Sequence, residues 1–493
     1  MSVDSSSEVL KERLGKIRGL KAKGVSLYSD GFVPTDIIRD LLEPFQDGRQ
    51  VKVAGRVMTR RLHGKSAFAD VRDETEKIQI YVKYDLVGKE QFGFFESLDL
   101  GDILGIEGAL FITQKGERSI KVERFVLLAK IVRTLPEKRH GLRDVEARYR
   151  QRYLDLMMSE GVRDVFRKRS QLMREIRSFL EERGFTEVET PMMQPIPGGA
   201  RARPFVTHHE ALDTHLYLRV APELYLKRLL VGGFSKVFEM NRNFRNEGLS
   251  SQHNPEFTML ELYQAYANYE SMMVLTEELV TTMVRKVCQS ETISFGEYHI
   301  GFKRPWKRIS FYDELKEKSG VDWRRGKISS LAGEVGIPID QFPEEVDQLN
   351  EAFDRFVEPE LVDPTFVVDY PAVTTPLAKR RTDDQGVVER FELYVARMEI
   401  ANAFSELNDP FEQRERLMAQ KEIIGVDKKL DEDFLTALEY AMPPAGGLGI
   451  GIDRLVMLLT NSPSIRDVIL FPQLRPVSYL NLTTPHGEKG EGV

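Results

Sequence analysis

The sequence predicts an α+β protein in which a small β-barrel precedes a larger domain of antiparallel strands and flanking helices. Three observations support this prediction. Five short strand-like runs lie between residues 51 and 128, a long amphipathic helix follows at 163–183, and strand pairs recur at 237–263 and 390–410. With 493 residues, the chain is long enough for two or three domains with a large core.

The composition is that of a soluble globular protein, with 41% hydrophobic and 30% charged residues. The chain contains no run of 18 or more apolar residues, and its N-terminus lacks the apolar core of a secretion signal. The single cysteine, Cys288, excludes an internal disulfide framework and a cysteine-based metal cluster. We therefore expect a cytoplasmic protein without a membrane segment.

The net charge of −7 is unevenly distributed. Residues 1–150 carry 28 Lys and Arg against 23 Asp and Glu, whereas the remainder carries 42 against 54. A basic N-terminal region suits a polyanionic partner, and an acidic remainder suits a cationic small substrate.

Residues 1–48 are predicted to form a basic helical extension, and residues 49–132 an OB-fold barrel. The basic amphipathic helix at 9–24 is either a solvated face or an arm that contacts phosphates. A short helix, Lys89–Ser97, falls between the third and fourth strands, as is typical of the OB-fold. The predicted strands are Val51–Arg60, Ala67–Arg72, Lys77–Tyr84, Ile103–Thr113 and Ser119–Leu128.

Three side chains on this barrel form a candidate site for single-stranded nucleic acid. Phe68 and Gln79 lie on adjacent predicted strands near Arg61. An aromatic ring can stack on a base, an amide can read its edge, and a guanidinium can contact phosphate or base. Glu117, in the loop before the last strand, is a further candidate. The alternative is that Phe68 belongs to the barrel core.

A charged, irregular segment, 133–152, is expected to link the barrel to the second domain, 153–476. The amphipathic helix that follows ends at Gly184, a typical C′ glycine, and the next strand stops at Pro191.

A Pro/Gly loop, Met193–Phe205, contains Gly199 and lets backbone approach a ligand closely. Pro222 suits the first turn of a helix, which places Glu223 at the mouth of a βα turn. There Glu223 is either a routine first-turn acid or a ligand for an ammonium group.

The stretch Val237–Tyr263, VFEMNRNFRNEGLSSQHNPEFTMLELY, is predicted to form two strands joined by a polar loop that contains His253. A period of two places charged and aromatic side chains on one face of the pair. Because a structural sheet normally buries apolar residues on one face, this mixture indicates a floor for a charged, planar ligand. The side chains are Glu239, Arg245 and Glu247 on the first strand and Phe257, Met259, Glu261 and Tyr263 on the second.

A second strand pair is predicted in Arg390–Pro410, with its turn at Ala396–Arg397. Pairing across that turn sets Glu392 and Glu399 on one face, close enough to share divalent cations. The following side chains have the opposite parity to Glu399, so the strand must bulge or twist near Ala401 for both sets to serve one site. These side chains are Asn402, Phe404 and Glu406.

Near the C-terminus, glycines of GGLGIGIDRLVMLL allow close backbone packing ahead of a helix whose first turn holds Asp453 and Arg454. The composition of the tail, 477–493, predicts disorder.

Three of these segments carry a family resemblance. FRNEG…HNPEF, within the first strand pair, resembles motif 2 of the class II aminoacyl-tRNA synthetases. GFTEVETP (Gly184–Pro191) resembles motif 1, and GLGIGIDRLVM (Gly449–Met457) resembles motif 3. Over nearly its whole length the chain is similar to bacterial lysyl-tRNA synthetases. The resemblance implies a class II catalytic domain at 153–476 behind an OB-fold that binds the anticodon.

The resemblance also implies an activity, ligation of L-lysine to tRNA(Lys) through a lysyl-adenylate. ATP would be a substrate, Mg²⁺ a cofactor, and Pro191 part of a homodimer interface. Arg245 is implied as the catalytic group, because its fork can bridge the lysine carboxylate and the α-phosphate. The implied ATP ligands are Arg245, Glu247, His253, Phe257, Glu392 and Arg454, and the implied metal ligands are Glu392 and Glu399.

The implied lysine ligands include three acids, of which Glu223 and Glu261 have interchangeable roles toward the α-ammonium group. The full set is Gly199, Glu223, Arg245, Glu261, Tyr263, Asn402, Phe404 and Glu406. The implied anticodon ligands are Arg61, Phe68, Gln79 and Glu117.

Three alternatives stay open. An aspartate- or asparagine-type relative would need a cation in its amino-acid pocket, which Glu223, Glu261 and Glu406 oppose. An enzyme that attaches a lysine-type residue to a translation factor would lack the barrel. A non-catalytic RNA-binding paralogue would not need Arg245 or the metal acids.

Overall fold

In the computed structural model of the chain, the described residues are 3–136, 144–419 and 430–476. The chain divides into two compact units, residues 1–143 and 144–493. The centre of the predicted linker, 137–143, and the predicted disordered tail, 477–493, lie outside the described residues. Within the described ranges, no helix is long and apolar enough to cross a membrane.

The first unit is a closed five-stranded barrel, which confirms the OB-fold prediction. The predicted helix Lys89–Ser97 lies between the third and fourth strands, as expected. The elements are α1 (Val3–Ala22), α2 (Ile38–Leu42), β1 (Gln50–His63), β2 (Ser66–Arg72), β3 (Lys77–Lys83), α3 (Tyr84–Val87), α4 (Lys89–Ser97), β4 (Ile103–Ile112) and β5 (Arg118–Ala129). The strand order around the barrel is β1-β2-β3-β5-β4.

A buried lysine stabilises one end of this barrel. The ammonium group of Lys130 lies 2.5 Å from Asp99 and 2.7 Å from Asp102, and its side chain is almost completely buried. Lys16 of α1 also pairs with Asp99, at 2.7 Å. Ile17 and Leu20 of the same helix pack against the barrel core, so α1 is held by both charge and apolar contact.

The second unit contains an eight-stranded sheet in which most neighbours are antiparallel. Its strands are β6 (Thr186–Glu187), β10 (Lys236–Phe244), β11 (Glu256–Ala265), β14 (Lys307–Ser310), β15 (Thr365–Val368), β16 (Arg390–Val395), β17 (Met398–Ser405) and β18 (Ala445–Gly451). Their order is β14-β15-β16-β17-β18-β11-β10-β6. Smaller sheets contain β7 (Met193–Gln194), β8 (Phe205–His209) and β9 (Thr214–Leu218), and β12 (Thr292–Phe295) and β13 (Tyr298–Gly301).

Helices flank this sheet. They are α5 (Val145–Arg150), α6 (Arg152–Met158), α7 (Val162–Glu181), α8 (Glu223–Val231), α9 (Tyr269–Cys288), α10 (Phe311–Ser319), α11 (Ile328–Glu334), α12 (Glu345–Phe356), α13 (Pro410–Ala419), α14 (Glu432–Glu439), α15 (Ile452–Thr460) and α16 (Ile465–Val468). Residues of α7, α9 and α15 form one apolar core with β11 and β17. One face of the sheet is therefore covered by these three helices. On the other face, α8 and α14 pack near Val237 and Tyr263, and α10, α11 and α12 pack near Val367 and Tyr394.

The C-terminal part of the predicted linker is helical rather than irregular. Helix α5 begins after Asp144, whose carboxylate accepts hydrogen bonds from the N–H groups of Glu146 and Ala147. Such an N-cap satisfies backbone donors that a helix start leaves unpaired. Arg152 is buried and pairs with Asp155 on the same helix at 2.7 Å. Its guanidinium also donates to the carbonyls of Arg466 at 2.6 Å and Leu470 at 3.0 Å, which fixes the segment to the rest of the second unit.

Candidate active site and nucleic-acid face

The floor of the candidate active site is the antiparallel pair β10–β11. Leu260 and Leu262 of β11 belong to the apolar core beneath the sheet. Strand alternation therefore turns Glu261 and Tyr263 to the opposite face, where both are buried.

Two glycines let other backbone approach this floor. A Cβ atom at Gly447 of β18 would collide with the ring of Tyr263 and with Oε1 of Glu406. Gly199 has a φ of +87°, and a Cβ there would lie 3.1 Å from the Cβ of Glu223. Gly447 leaves no room for a side chain beside the buried acid, and Gly199 needs glycine because its backbone lies in the left-handed region.

Arg245 and Glu247 lie beyond the end of β10, so the expectation that both continue this strand is wrong. Arg245 keeps one ladder hydrogen bond, because its N–H donates to the carbonyl of Pro255 at 2.9 Å. The N–H of Asn246 donates instead to the carbonyl of Arg203 at 2.7 Å, which draws the chain away from β11. Glu247 is consequently an exposed loop residue.

The guanidinium group of Arg245 is available to an anion. It lies over the ring of Phe257, 5.1 Å from the centroid. Its Nε is buried and has no hydrogen-bond partner among the described residues. Burial raises the pKa of Glu399, and the charges of Arg454 and Arg245 oppose this rise. Arg245 is thus a cation beside acids, with one donor unsatisfied.

His253 and Arg454 meet at the outer end of the site. Nη2 of Arg454 lies 3.1 Å from Nε2 of His253, and its Nη1 donates to the carbonyl of Glu399 at 2.8 Å. Burial and the charges of Arg454 and Arg245 lower the pKa of His253. A neutral imidazole can accept from Arg454 at Nε2, while its Nδ1 lies 2.9 Å from Oγ of Ser250.

The predicted turn at Ala396–Arg397 is confirmed, although neither residue is glycine. Both lie in the left-handed region, with φ of 52° and 62°. Two residues with positive φ form the tight hairpin turn that matches strand twist. Their N–H groups donate to the carbonyls of Val362 and Leu361, each at 2.8 Å, which holds the turn in place.

The bulge expected near Ala401 is also confirmed. Glu392 pairs with Asn402 and Leu393 with Ala401, but Tyr394 pairs with Glu399. Ile400 is therefore the extra residue. Because of it, odd-numbered side chains before it and even-numbered side chains after it point to the same face of the sheet. The side chains that this bulge brings to the open face are Glu399, Asn402 and Phe404.

Glu392 is held by a dense set of hydrogen bonds. Its Oε2 accepts from the hydroxyl groups of Tyr370 at 2.6 Å and Tyr394 at 2.9 Å. Its Oε1 pairs with Arg390 and accepts from the amide of Asn402 at 3.3 Å. The Asn402 oxygen in turn accepts from Arg390 at 3.2 Å. Asn402 is therefore bonded to the metal-ligand candidate in this structure.

Two acids near Glu392 and Glu399 escaped the sequence prediction. Burial and the charge of Glu392 raise the pKa of Asp354, on α12, to about 6. Burial and the charge of Asp354 raise the pKa of Glu358 to about 7. Burial and the charge of Glu392 likewise raise the pKa of Glu399. Four acids thus lie close enough at this end of the site for the charges of Glu392 and Glu399 to help raise the pKa values of the other two.

This donor set fits Mg²⁺. Glu392 and Glu399 offer hard carboxylate oxygens, and their mutual repulsion would be relieved by a cation. Across the described parts of the chain, no group of three or more His, Cys, Asp or Glu side chains could hold a metal ion. Two carboxylates suffice for Mg²⁺, which keeps waters and substrate phosphates as its other ligands.

Three buried acids line the other end of the site. The exposed fractions of Glu223, Glu261 and Glu406 are 6%, 5% and 1%. Burial and neighbouring acids raise the pKa of Glu261 to about 8, and burial raises that of Glu406 to about 8 as well. Oε1 of Glu406 has no hydrogen-bond partner among the described residues. The hydroxyl group of Tyr263 donates to Glu261 at 3.5 Å.

A lysine that the sequence prediction missed lies among these acids. The Nζ of Lys227, one turn after Glu223 on α8, is 2.6 Å from Glu223 and also pairs with Glu406. It lies 5.5 Å from the ring centroid of Phe404. Glutamate and lysine at i and i+4 are common on exposed helix faces, so nothing in the sequence distinguished this pair.

On the barrel, Phe68 lies outside the core, so the alternative reading of a core phenylalanine is wrong. The flanking Ala67 and Ala69 fill the core instead. Arg61 pairs with Phe68 across the β1–β2 ladder, and its Nη2 donates to Gln79 at 3.4 Å. The three candidate side chains therefore lie together on one outer face.

The same face carries aromatic rings that the sequence prediction did not include. The ring centroids of Phe68 and Tyr81 are 4.8 Å apart, and those of Tyr81 and Phe111 are 5.8 Å apart. Gln79 is buried between strands and donates to Ser119 at 3.3 Å. Two other predicted residues, Glu117 in the loop before β5 and Pro191 after β6, are exposed.

The barrel, the mostly antiparallel sheet and a basic–acidic cleft on its open face are together the architecture of a class II tRNA synthetase. A family model described as tRNA synthetases class II (D, K and N) matches residues 144–475, so the chain belongs to this class. A second model, described as an OB-fold nucleic acid binding domain, matches residues 51–128.

Relatives that match over nearly the whole chain identify one family within this class. A lysine–tRNA ligase of Carboxydothermus hydrogenoformans is 52% identical over 480 residues, covering 95% of this chain and 98% of that protein. One from Syntrophomonas wolfei is 52% identical over 482 residues, covering 96% and 98%. One from Magnetococcus marinus is 49% identical over 493 residues, covering 96% and 98%. Within the class, the chain belongs to the lysine–tRNA ligase family.

Proposed function

We propose that the protein ligates L-lysine to tRNA(Lys) in an ATP-dependent reaction that passes through a lysyl-adenylate. One observation carries the choice of amino acid. Glu223, Glu261 and Glu406 are buried together, and one carboxylate oxygen of Glu406 has no partner among the described residues. Buried acids left without cations are costly, so this pocket is suited to an amino acid with two ammonium groups.

In the first step, a carboxylate oxygen of lysine attacks the α-phosphorus of ATP in line, and pyrophosphate leaves with the bonding electrons. Two anions must approach each other, so catalysis consists mainly of positioning and charge neutralisation. Arg245, with its unsatisfied Nε, bridges the lysine carboxylate and the α-phosphate. Phe257 stacks on adenine, and Glu247 accepts a hydrogen bond from the adenine amino group.

The phosphates extend toward the outer end of the site. His253 and Arg454, 3.1 Å apart, bind the β- and γ-phosphates. Glu392 and Glu399 would hold Mg²⁺, which neutralises phosphate charge when bound. The charges of these two ligands contribute to the raised pKa values of Asp354 and Glu358 nearby.

Lysine lies across the buried acids. Glu406 and Tyr263 receive the ε-ammonium group, with Phe404 beside the side chain, while Asn402 binds the carboxylate. Glu223 and backbone near Gly199 receive the α-ammonium group, supported by Glu261. An analogue without the second cation would leave Glu406 unpaired, and sites of this kind reject such analogues strongly.

In the second step, a terminal ribose hydroxyl of tRNA attacks the adenylate carbonyl, and AMP leaves. The outer face of the barrel, with Arg61, Phe68, Gln79 and Glu117, reads the anticodon. We further propose that the protein acts in the cytoplasm as a homodimer, with Pro191 in the interface.

Pyrophosphate exchange into ATP tests this function. Purified full-length protein should support exchange with lysine and not with aspartate or asparagine. Exchange with aspartate or asparagine alone would indicate a different amino-acid pocket, and no exchange with any of the three would indicate a non-catalytic RNA-binding protein.

A further inference from the structure

The lysine pocket contains a cation of the protein's own. Lys227 is completely buried, and its Nζ contacts carboxylates from two separate segments, Glu223 on α8 and Glu406 after β17. These two acids are the proposed partners of the two ammonium groups of the substrate. A residue that bridges both acids influences where each carboxylate lies and how much charge it offers.

The buried charges around Lys227 can be counted. Glu223, Glu261 and Glu406 contribute three negative charges when ionised, and Lys227 contributes one positive charge. Tyr263 stays neutral, because burial and the neighbouring acids raise its pKa well above the ordinary value. Once lysine binding has ionised all three acids, two negative charges are left over, which equals the number of ammonium groups on one lysine molecule.

Two neighbouring cations do not alter this count. Arg219 is paired with the buried Glu239 at 2.7 Å, so that pair is neutral. Arg245 faces the reaction centre, where it serves the substrate carboxylate. Although burial alone would lower the pKa of Lys227, the charges of Glu223 and Glu406 raise it, so Lys227 stays protonated.

We propose that Lys227 is a specificity-determining positioning residue, which clamps Glu223 to Glu406 and leaves the pocket two negative charges for the α- and ε-ammonium groups of lysine. This inference rests on the proposed function. Lys227 is not a catalytic residue in this proposal, because it acts on the substrate only through the two acids.

The test is pyrophosphate exchange by the full-length protein, with separate KM values for lysine and ATP. Lys227→Met removes the charge and keeps an unbranched side chain. We expect the KM for lysine to rise by about tenfold or more, as is usual when one partner of a buried charge pair is lost. The KM for ATP should change by less than about twofold, because the substitution does not alter the side chains that are proposed to bind ATP.

Lys130→Met is a matched control in the barrel. It also removes an almost completely buried lysine from between two carboxylates, but these are Asp99 and Asp102, outside the active site. We expect both KM values to stay at the wild-type level in this variant. If Lys227→Met and Lys130→Met change the two KM values alike, Lys227 has only a structural role and the proposal is overturned.

A double variant tests the charge count and guards against loss of folding. Lys227→Met/Glu261→Gln removes one charge of each sign and returns the pocket to two negative charges. It should be less impaired for lysine than the product of the two single effects, or it should fold where Lys227→Met does not. Independent effects would overturn the proposal.

Failure of the proposed function and failure of the proposed role of Lys227 would give different results. If the wild type does not exchange pyrophosphate with lysine, the proposed function is wrong. If the wild type does and Lys227→Met has an unchanged KM for lysine, only the role of Lys227 is wrong.

Discussion

Among the described residues, two buried lysines each lie between two carboxylates, and their surroundings differ. At Lys130 in the barrel, Asp102 also accepts hydrogen bonds from the N–H groups of Asp99 and Ile131, at 2.7 and 2.9 Å. Burial raises the pKa of Asp99, but hydrogen bonds from Lys130 and Lys16 outweigh it and lower the net value. This cluster is satisfied by the protein itself.

At Lys227 the acids are not satisfied. Oε1 of Glu406 lacks a hydrogen-bond partner among the described residues, and burial raises the pKa of Glu406 to about 8 against the pull of Lys227. An unpaired buried acceptor is costly, and a ligand that pairs with it would remove that cost. The comparison teaches that satisfaction of the acids, rather than burial of a lysine, separates a structural cluster from a binding pocket.

The largest expected effect is at the unsatisfied acid. Glu406→Gln should lower kcat/KM for lysine by about 10²-fold or more in pyrophosphate exchange, because the ε-ammonium group loses its charged partner. ATP binding, measured by equilibrium titration, should survive. Equal loss of ATP binding would contradict the role of Glu406 in amino-acid selection.

The matched substitution in the barrel should affect stability instead. Asp102→Asn leaves Lys130 with one carboxylate and should cost about 3 kcal/mol of local stability. Hydrogen exchange of residues 50–129 should accelerate, while lysine-dependent pyrophosphate exchange is retained. A loss of lysine activation in protein that remains folded would remove the distinction between the two clusters.

The strand pairs show how far the sequence led. Parity alone predicted that β17 must bulge near Ala401, and the register places the extra residue at Ile400. Parity failed for Glu247, because a hydrogen bond from Asn246 to Arg203 ends the strand earlier than the alternation implied. A period of two describes a strand only while its ladder continues.

Residues that act through distant contacts could not be found in this way. Asp354 lies on α12 and approaches Glu392 only in the folded chain. Lys227 and Glu223 have the spacing of an ordinary surface pair. Only the folded structure shows that Lys227 is buried and that it also contacts Glu406. The resemblance of the motifs identified the candidate ligands, whereas Lys227 could be identified as their counter-cation only from the tertiary structure.

A smaller effect is expected from pH. The pKa of about 8 for Glu261 and Glu406 exceeds the ordinary value of 4.5, so the folded protein binds more protons than the unfolded chain between these values. The free energy of unfolding should therefore fall as pH rises from roughly 5 to 8, by up to about 1.4 kcal/mol per pH unit for each acid.

Thermal unfolding without lysine at several pH values measures this decline. Glu261→Gln/Glu406→Gln, which lacks both acids, should show a flatter profile. A wild-type protein that becomes more stable over this range, or one whose profile matches the double variant, would show that these acids are not protonated when buried.

The smallest effect is expected on the barrel face. Phe68→Ala should raise the KM for tRNA(Lys) by about tenfold, since one stacking partner for a base is lost. Tyr28→Ala, at a ring that is 61% exposed on the same unit, is the control and should leave this KM unchanged. Lysine-dependent pyrophosphate exchange should be normal in both variants. Slower exchange in Phe68→Ala would show that this substitution affects more than tRNA binding.

The most direct test of the unsatisfied pocket is the number of protons exchanged when lysine binds. It is measured by calorimetry at pH 7 in buffers that differ in ionisation enthalpy. Because burial raises the pKa values of Glu261 and Glu406 to about 8, above this pH, binding of two ammonium groups should release protons to the buffer. Lysine binding without proton release would contradict the account, because the acids would then be ionised before the substrate arrives.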